Sequence, residues 1–215
     1  MRSVSALLLA PPRETPCVIL AHGAGAGMTH PFMQSVAVGL ADRSVATLRY
    51  QFPYMESGSK RPDAPALAHR TIRAAIACAA RRFPGLKLFA GGKSLGARMT
   101  SQAQVAAPLP RVCGLAFLGF PLHPAKRPSH ERAAHLGAVK IPMLFLQGER
   151  DALADPALLR RVMDALGQRA ALHVFPDADH SFHVPDRSGR TDAQVMDALL
   201  DALADWIMRT ARSAP

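Results

Sequence analysis

Residues 86–96, Leu86-Lys87-Leu88-Phe89-Ala90-Gly91-Gly92-Lys93-Ser94-Leu95-Gly96, decide the fold. Leu86, Leu88, Phe89 and Ala90 read as a buried strand, Gly92 to Gly96 fit the pattern G-x-S-x-G, and the run GARMTSQAQVA that follows reads as a helix. A strand that turns this sharply into a helix has no room for side chains two residues before and two residues after the serine, which is where Gly92 and Gly96 stand. The spacing therefore predicts Ser94 at the tip of a nucleophile elbow, its hydroxyl pointing away from the sheet. The Leu95 amide opens a helix whose positive end faces any anion that develops there.

On the N-terminal side, Cys17–Ala21 is a short, fully apolar strand running into the glycine-rich loop His22-Gly23-Ala24-Gly25-Ala26-Gly27. Thr29 and Pro31 signal a helix reaching about Ala41, with Phe32, Val36 and Leu40 on its buried face. Gly23-Ala24-Gly25 resembles the first half of a dinucleotide fingerprint, but the third glycine falls at Gly27, one place early. No acidic residue lies about 20 residues on at a strand end, where Tyr50 and Gln51 stand instead. The better pairing with Ser94 is an oxyanion loop after an early strand.

A strand Val45–Tyr50, a polar loop Glu56–Pro62 and a packing helix from Asp63–Pro65 to Arg82 come next. Beyond the elbow lie a central strand Val112–Phe120, a proline-rich connection with room for a short helix, and a strand Ile141–Gln147. Pro156–Leu166 is a helix capped by Asp155, Ala171–Phe175 is the last strand, and Thr191 with Gln194 forms a capping box for the closing helix. Such alternation predicts an α/β fold: a doubly wound, mostly parallel sheet with helices on both faces, in a single domain over 1–215 without a large lid.

Composition narrows the function. Nothing approaches the roughly 20 apolar residues of a membrane span, and the opening MRSVSALLLAPP reads as an edge strand rather than a signal peptide. Cys17, Cys78 and Cys113 form an odd set in apolar surroundings, without metal-ligand spacing, and read as reduced core residues of a cytoplasmic protein. The net charge of +10 invites a nucleic-acid reading. The basic residues are scattered and aromatics make up only 6% of the chain, so no specific nucleic-acid partner is expected.

Catalytic groups of a doubly wound sheet gather at the carboxyl ends of its strands. Ser94, Asp151 and His180 each follow such an end, in the order Ser, Asp, His. A serine hydroxyl needs a neighbouring base, and the base needs an acid to hold its tautomer; His180 and Asp151 fit these roles. His183 is the alternative base. Asp177 and Asp179 lie too near His180 in sequence to meet it easily, and Asp155 is accounted for as a cap. The backbone N–H groups of Leu95 and Ala24 are the expected oxyanion donors, with His22, Tyr50 and His123 as candidate pocket residues.

The segments HGAGAGMTH, LRYQFPYME, GGKSLGAR, LGFPLHP, QGERDAL and ADHSF, in this order, resemble the small α/β-hydrolase family related to dienelactone hydrolases, a branch that includes testis-expressed protein thirty. The branch is marked chiefly by Arg49–Tyr54 and Phe120–Pro124. The resemblance implies the α/β-hydrolase fold, a triad of Ser94, Asp151 and His180, and an oxyanion loop from His22 to Gly27. Dienelactone hydrolases carry cysteine where Ser94 stands, so the resemblance does not transfer their substrate. The resulting expectation is a cofactor-free, metal-free serine hydrolase, carboxylesterase-like, that takes a small-molecule acyl substrate. A scaffold retaining the fold and an acyltransferase are the alternatives.

Overall fold

A computed structural model of the chain describes residues 3–12 and 16–214. Along it run β1 (Ala6–Leu9), β2 (Cys17–Ala21), α1 (Pro31–Asp42), β3 (Ala46–Tyr50), the single turn α2 (Pro53–Glu56) and α3 (Pro65–Arg82). They are followed by β4 (Leu88–Lys93), α4 (Leu95–Ala106), β5 (Val112–Leu118), β6 (Met143–Gly148), α5 (Pro156–Leu166), β7 (Ala170–Phe175) and α6 (Asp192–Ser213). The seven strands form one sheet in the order β1-β3-β2-β4-β5-β6-β7. β1 is antiparallel to β3, and every other neighbouring pair is parallel.

β2, β3, β4 and β6 are buried at every residue, as strands covered on both faces must be. Alternate side chains enter two separate cores. Ile19, Leu48, Phe117 and Phe145 pack with apolar residues of α3, α4 and α5, whereas Leu20, Phe89, Leu118 and Leu146 pack with those of α1 and α6. Arg43, just past α1, ties that helix to α6 by ion pairs with Asp197 and with Asp201, the latter at 2.7 Å. From β2 the chain steps to β3 on one side and then crosses back to β4 on the other. The strand order thus reverses between β2 and β4, and the crevice beyond their carboxyl ends is where such sheets place their ligands.

Several local expectations change. α1 is capped by His30, whose Nδ1 accepts from the Phe32 amide at 3.2 Å, rather than by Thr29. Phe32 is only half-buried, and Met33 takes its place in the core. β4 continues through both glycines to Lys93, and β5 stops at Leu118 because Gly119 turns the chain with φ +69°. The connection from 119 to 142 holds a 3₁₀ stretch, Glu131–Ala138, and no large lid is present among the described residues. Of the cysteines only Cys17 is a core residue; Cys78 lies exposed on α3 and Cys113 is half-exposed, all three free. An apolar sequence neighbourhood does not fix which face of a helix a residue takes.

Candidate active site

Ser94 sits between β4 and α4 with φ 51° and ψ −109°, a conformation that costs a non-glycine residue about 1–3 kcal/mol and persists only where its surroundings impose it. The residues two before and two after Ser94 lie close against the carbonyl oxygen of Ala21 on β2. A Cβ at Gly92 would lie 2.2 Å from that oxygen and one at Gly96 2.4 Å from it. The two glycines are what let the turn nest against the neighbouring strand.

Three strand ends bring the candidate triad together. The Ser94 hydroxyl donates to His180 Nε2 at 2.9 Å, and His180 Nδ1 donates to Asp151 Oδ2 at 2.7 Å. The Asp151 side chain is fully buried while that of His180 is 26% exposed, so the acid is shielded and the base can be reached by a substrate. Asp151 is further held by the Leu153 amide on Oδ1 at 2.8 Å and by Gln147 Nε2 on Oδ2 at 2.5 Å. Gln147 Oε1 in turn accepts from the Phe120 amide at 2.9 Å.

The competing residues are occupied elsewhere. Asp179 folds its own loop, its Oδ1 accepting from the amides of Ser181 and His183 at 2.7 and 3.0 Å. His183 is exposed and bonds Asp192 at 2.9 Å. Asp155 caps α5 through the Leu158 amide at 2.9 Å. Asp177, with φ +58°, turns the chain after β7, its amide bonded to Glu149.

The loop after β2 passes close to the serine: a Cβ on Gly23 would stand 3.9 Å from the Ser94 Cβ. Four bonds from residues 49–54 hold this loop. Phe52 N donates to His22 Nε2 at 3.1 Å, Gly25 N to Tyr54 Oη at 3.0 Å and Met28 N to Gln51 Oε1 at 2.8 Å, while Arg49 Nη1 donates to Met28 O at 3.1 Å. His22 is fully buried, and burial lowers its proton affinity. It is a neutral spacer, donating from Nδ1 to Gly23 O at 2.7 Å, and does not reach into the crevice. Among the described residues the amides of Ala24 and Leu95 bond no protein acceptor.

Among the described residues the other candidate pocket residues make no hydrogen bond to Ser94, His180 or Asp151. His123 is buried and links two loops, its Nε2 accepting from the Asp155 amide at 2.9 Å. Tyr50 is buried, with its hydroxyl driven to hold its proton by that burial. It lines a cleft of about 790 Å³ with Leu48, Tyr54, Leu67 and Ala75, none of them a triad residue.

Two residues at the site went unread in the sequence. Gln147 could have been noticed as the one amide in the apolar strand MLFLQG. Lys93, the variable residue directly before the serine, is 9% exposed, and its Nζ donates to the backbone carbonyl of His180 at 2.5 Å.

Residues 14–208 match the model of the alpha/beta hydrolase domain family. Among solved structures, a dienelactone hydrolase from Anabaena variabilis superposes with a TM-score of 0.76 at 21% identity, over 96% of this chain and 91% of that one. A serine hydrolase without a lid from Xanthomonas campestris gives 0.73 at 21% identity, over 95% and 89%. A cold-adapted esterase from an Arctic intertidal metagenomic library gives 0.68 at 18% identity, over 95% and 88%.

Proposed function

The chain belongs to the α/β-hydrolase domain family, and from that footing we propose that it is a serine hydrolase cleaving a small ester, thioester or amide through an acyl-enzyme intermediate. The observation that carries this reading is the continuous chain of hydrogen bonds from Ser94 Oγ through His180 to the buried Asp151 carboxylate. As Ser94 Oγ attacks the acyl carbon its proton passes to His180 Nε2, and Asp151 stabilises the imidazolium that forms. The negative charge on the acyl oxygen is met by the amides of Leu95 and Ala24, of which Leu95 also presents the start of a helix. His180 then gives its proton to the leaving group, which departs and leaves the acyl group on Ser94. A water, deprotonated by His180, attacks the acyl carbon and releases the acid, and the proton returns to Ser94.

The test is covalent labelling. A serine without a base is inert to a fluorophosphonate, whereas an activated one attacks phosphorus and remains bound in a transition-state-like geometry. One adduct on the peptide containing Ser94, absent from Ser94→Ala and His180→Ala, is expected, together with turnover of short-chain nitrophenyl esters. Folded protein that neither labels nor turns over esters overturns the proposal in favour of a scaffold. Labelling without turnover points to an acyl acceptor other than water.

A further inference from the structure

We propose that the Lys93 ammonium is a positioning group for His180: by holding the His180 carbonyl, it sets where the imidazole stands over Ser94. This rests on the hydrolase reading above and adds to it a residue outside the triad.

The surroundings of Nζ are unusual for a lysine. It bonds the His180 carbonyl oxygen and stands 5.3 Å from the ring centroid of Phe182 and 5.7 Å from that of Phe32. Those rings stack on one another at 5.9 Å, closing the site from the α1 side. On the β5 side lies Gly119, where a Cβ would fall 2.9 Å from Nζ and 3.4 Å from His180 Nδ1 and Cε1. A side chain at 119 would crowd the lysine and the imidazole together. The charged groups that face Nζ are Asp151, at the end of β6, and Asp179, in the loop after β7; both act through space, and among the described residues neither forms an ion pair with it.

An ammonium is a strongly hydrated point charge, and one carbonyl with two aromatic faces replaces that hydration incompletely. Burial accordingly lowers the Lys93 pKa to about 8, with Asp151 and Asp179 offsetting part of the shift. For the fold alone, an apolar side chain of similar length would serve better. What the charge adds is a directed bond from the residue before the nucleophile to the residue that carries the base. Ser94 and His180 thereby come under one constraint, the kind of support that holds reacting groups in register.

The linkage gives this a sign. The folded pKa lies below the ordinary lysine value, so between about pH 8 and 10.5 the unfolded chain holds a proton the folded chain lacks, and stability rises with pH across that window. At pH 7 the buried charge is a burden on the fold. A lysine kept for packing would lose stability and activity together on substitution; a positioning lysine loses activity while stability holds or improves.

The experiment compares wild type, Lys93→Met and Lys93→Arg by fluorophosphonate labelling from pH 6 to 10, by Tm at pH 7, and by amide exchange over residues 177–184. Wild-type labelling is expected to fall on the alkaline side near pH 8, as Lys93 loses its charge. Lys93→Met should label about 10- to 100-fold more slowly, without that alkaline fall, with a Tm at or above wild type and with faster exchange in residues 177–184. Lys93→Arg, which stays charged, should recover part of the rate and also lack the alkaline fall. Wild-type labelling and exchange in Lys93→Met overturn the proposal. So does slow labelling that keeps the alkaline fall, or a loss of Tm in parallel with the loss of rate. If wild type fails to label at all, the hydrolase reading falls by itself, and the exchange rates of residues 177–184 still decide whether Lys93 holds the loop.

Discussion

The loop from His22 to Met28 comes to Ser94 from the β2 side and the loop from Asp177 to His183 comes from the β7 side, and different bonds hold them. One contiguous segment, residues 49–54, cradles the first: two backbone amides of the loop, one backbone carbonyl and the neutral His22 ring each find a partner there. The second is held by ionisable groups, two of them from other elements. Asp151 grips the His180 ring, Lys93 grips the His180 carbonyl, and Asp179 ties the loop to itself. The difference follows from what each loop is proposed to supply. A backbone N–H offered to an oxyanion must only stay in place, for which partners of fixed charge state suffice, the Arg49 guanidinium among them. A base that takes up and returns a proton changes charge in every cycle, and its neighbours must answer that charge.

The comparison can be broken most forcefully on the β7 side. Removing the proposed base by His180→Ala, or its partner by Ser94→Ala, should lower ester turnover by about 10⁶-fold, since members of a triad act as a unit. Asp151→Asn should leave the fold intact and cost about 10⁴-fold, because the amide can hold the ring in the wrong tautomer. Turnover in Asp151→Asn within tenfold of wild type would remove Asp151 from the role. Gln147→Ala takes a bond from Asp151 and strands the Phe120 amide. A loss of about 1–3 kcal/mol in a denaturant titration is expected for the buried groups left unpaired, with slower labelling.

On the β2 side the effects are smaller and of another kind. Tyr54→Phe leaves the Gly25 amide without its acceptor and should cost about 1 kcal/mol of stability. Labelling should slow by less than about tenfold, equally from pH 6 to 9, because burial raises the Tyr54 pKa and the hydroxyl removed is neutral throughout that range. A change in the shape of its pH profile would mean that the two loops are not independent. His183→Ala is the smallest change. Its pairing with Asp192 raises the His183 pKa, so whatever stability the pair adds is present below the ordinary histidine value and lost as pH rises through the raised one. Labelling of Ser94 should not alter.

Strand alternation, the elbow and the residues at each strand end were legible because each depends on near neighbours in the chain. The two glycines around Ser94 are required wherever a strand nests its turn against another strand, and the structure shows that neighbour to be the Ala21 carbonyl. The cradle was only half legible: Arg49–Tyr54 stood out as a family-like segment, without a visible task. Lys93 was not legible at all, since the residue before the serine in G-x-S-x-G looks free in one dimension, and its burial depends on Phe32 and Phe182 arriving from α1 and from the loop after β7. Cys78 erred in the other direction, apolar in its surroundings along the chain but on the outer side of α3.

By itself, then, the sequence determined the α/β class, the sheet-and-helix alternation and the place of Ser94 at a strained turn, because periodicity, capping and glycine geometry act over a few residues. Only the tertiary structure decided which histidine and which carboxylate meet the serine. His180 reaches Ser94 across 86 residues and Asp151 across 29, and contacts at such separations are set by strand order. Placing β5 and β6 between β4 and β7 leads the loop after β7 back over three strand ends, where one carboxylate faces the ring and one lysine faces the chain behind it.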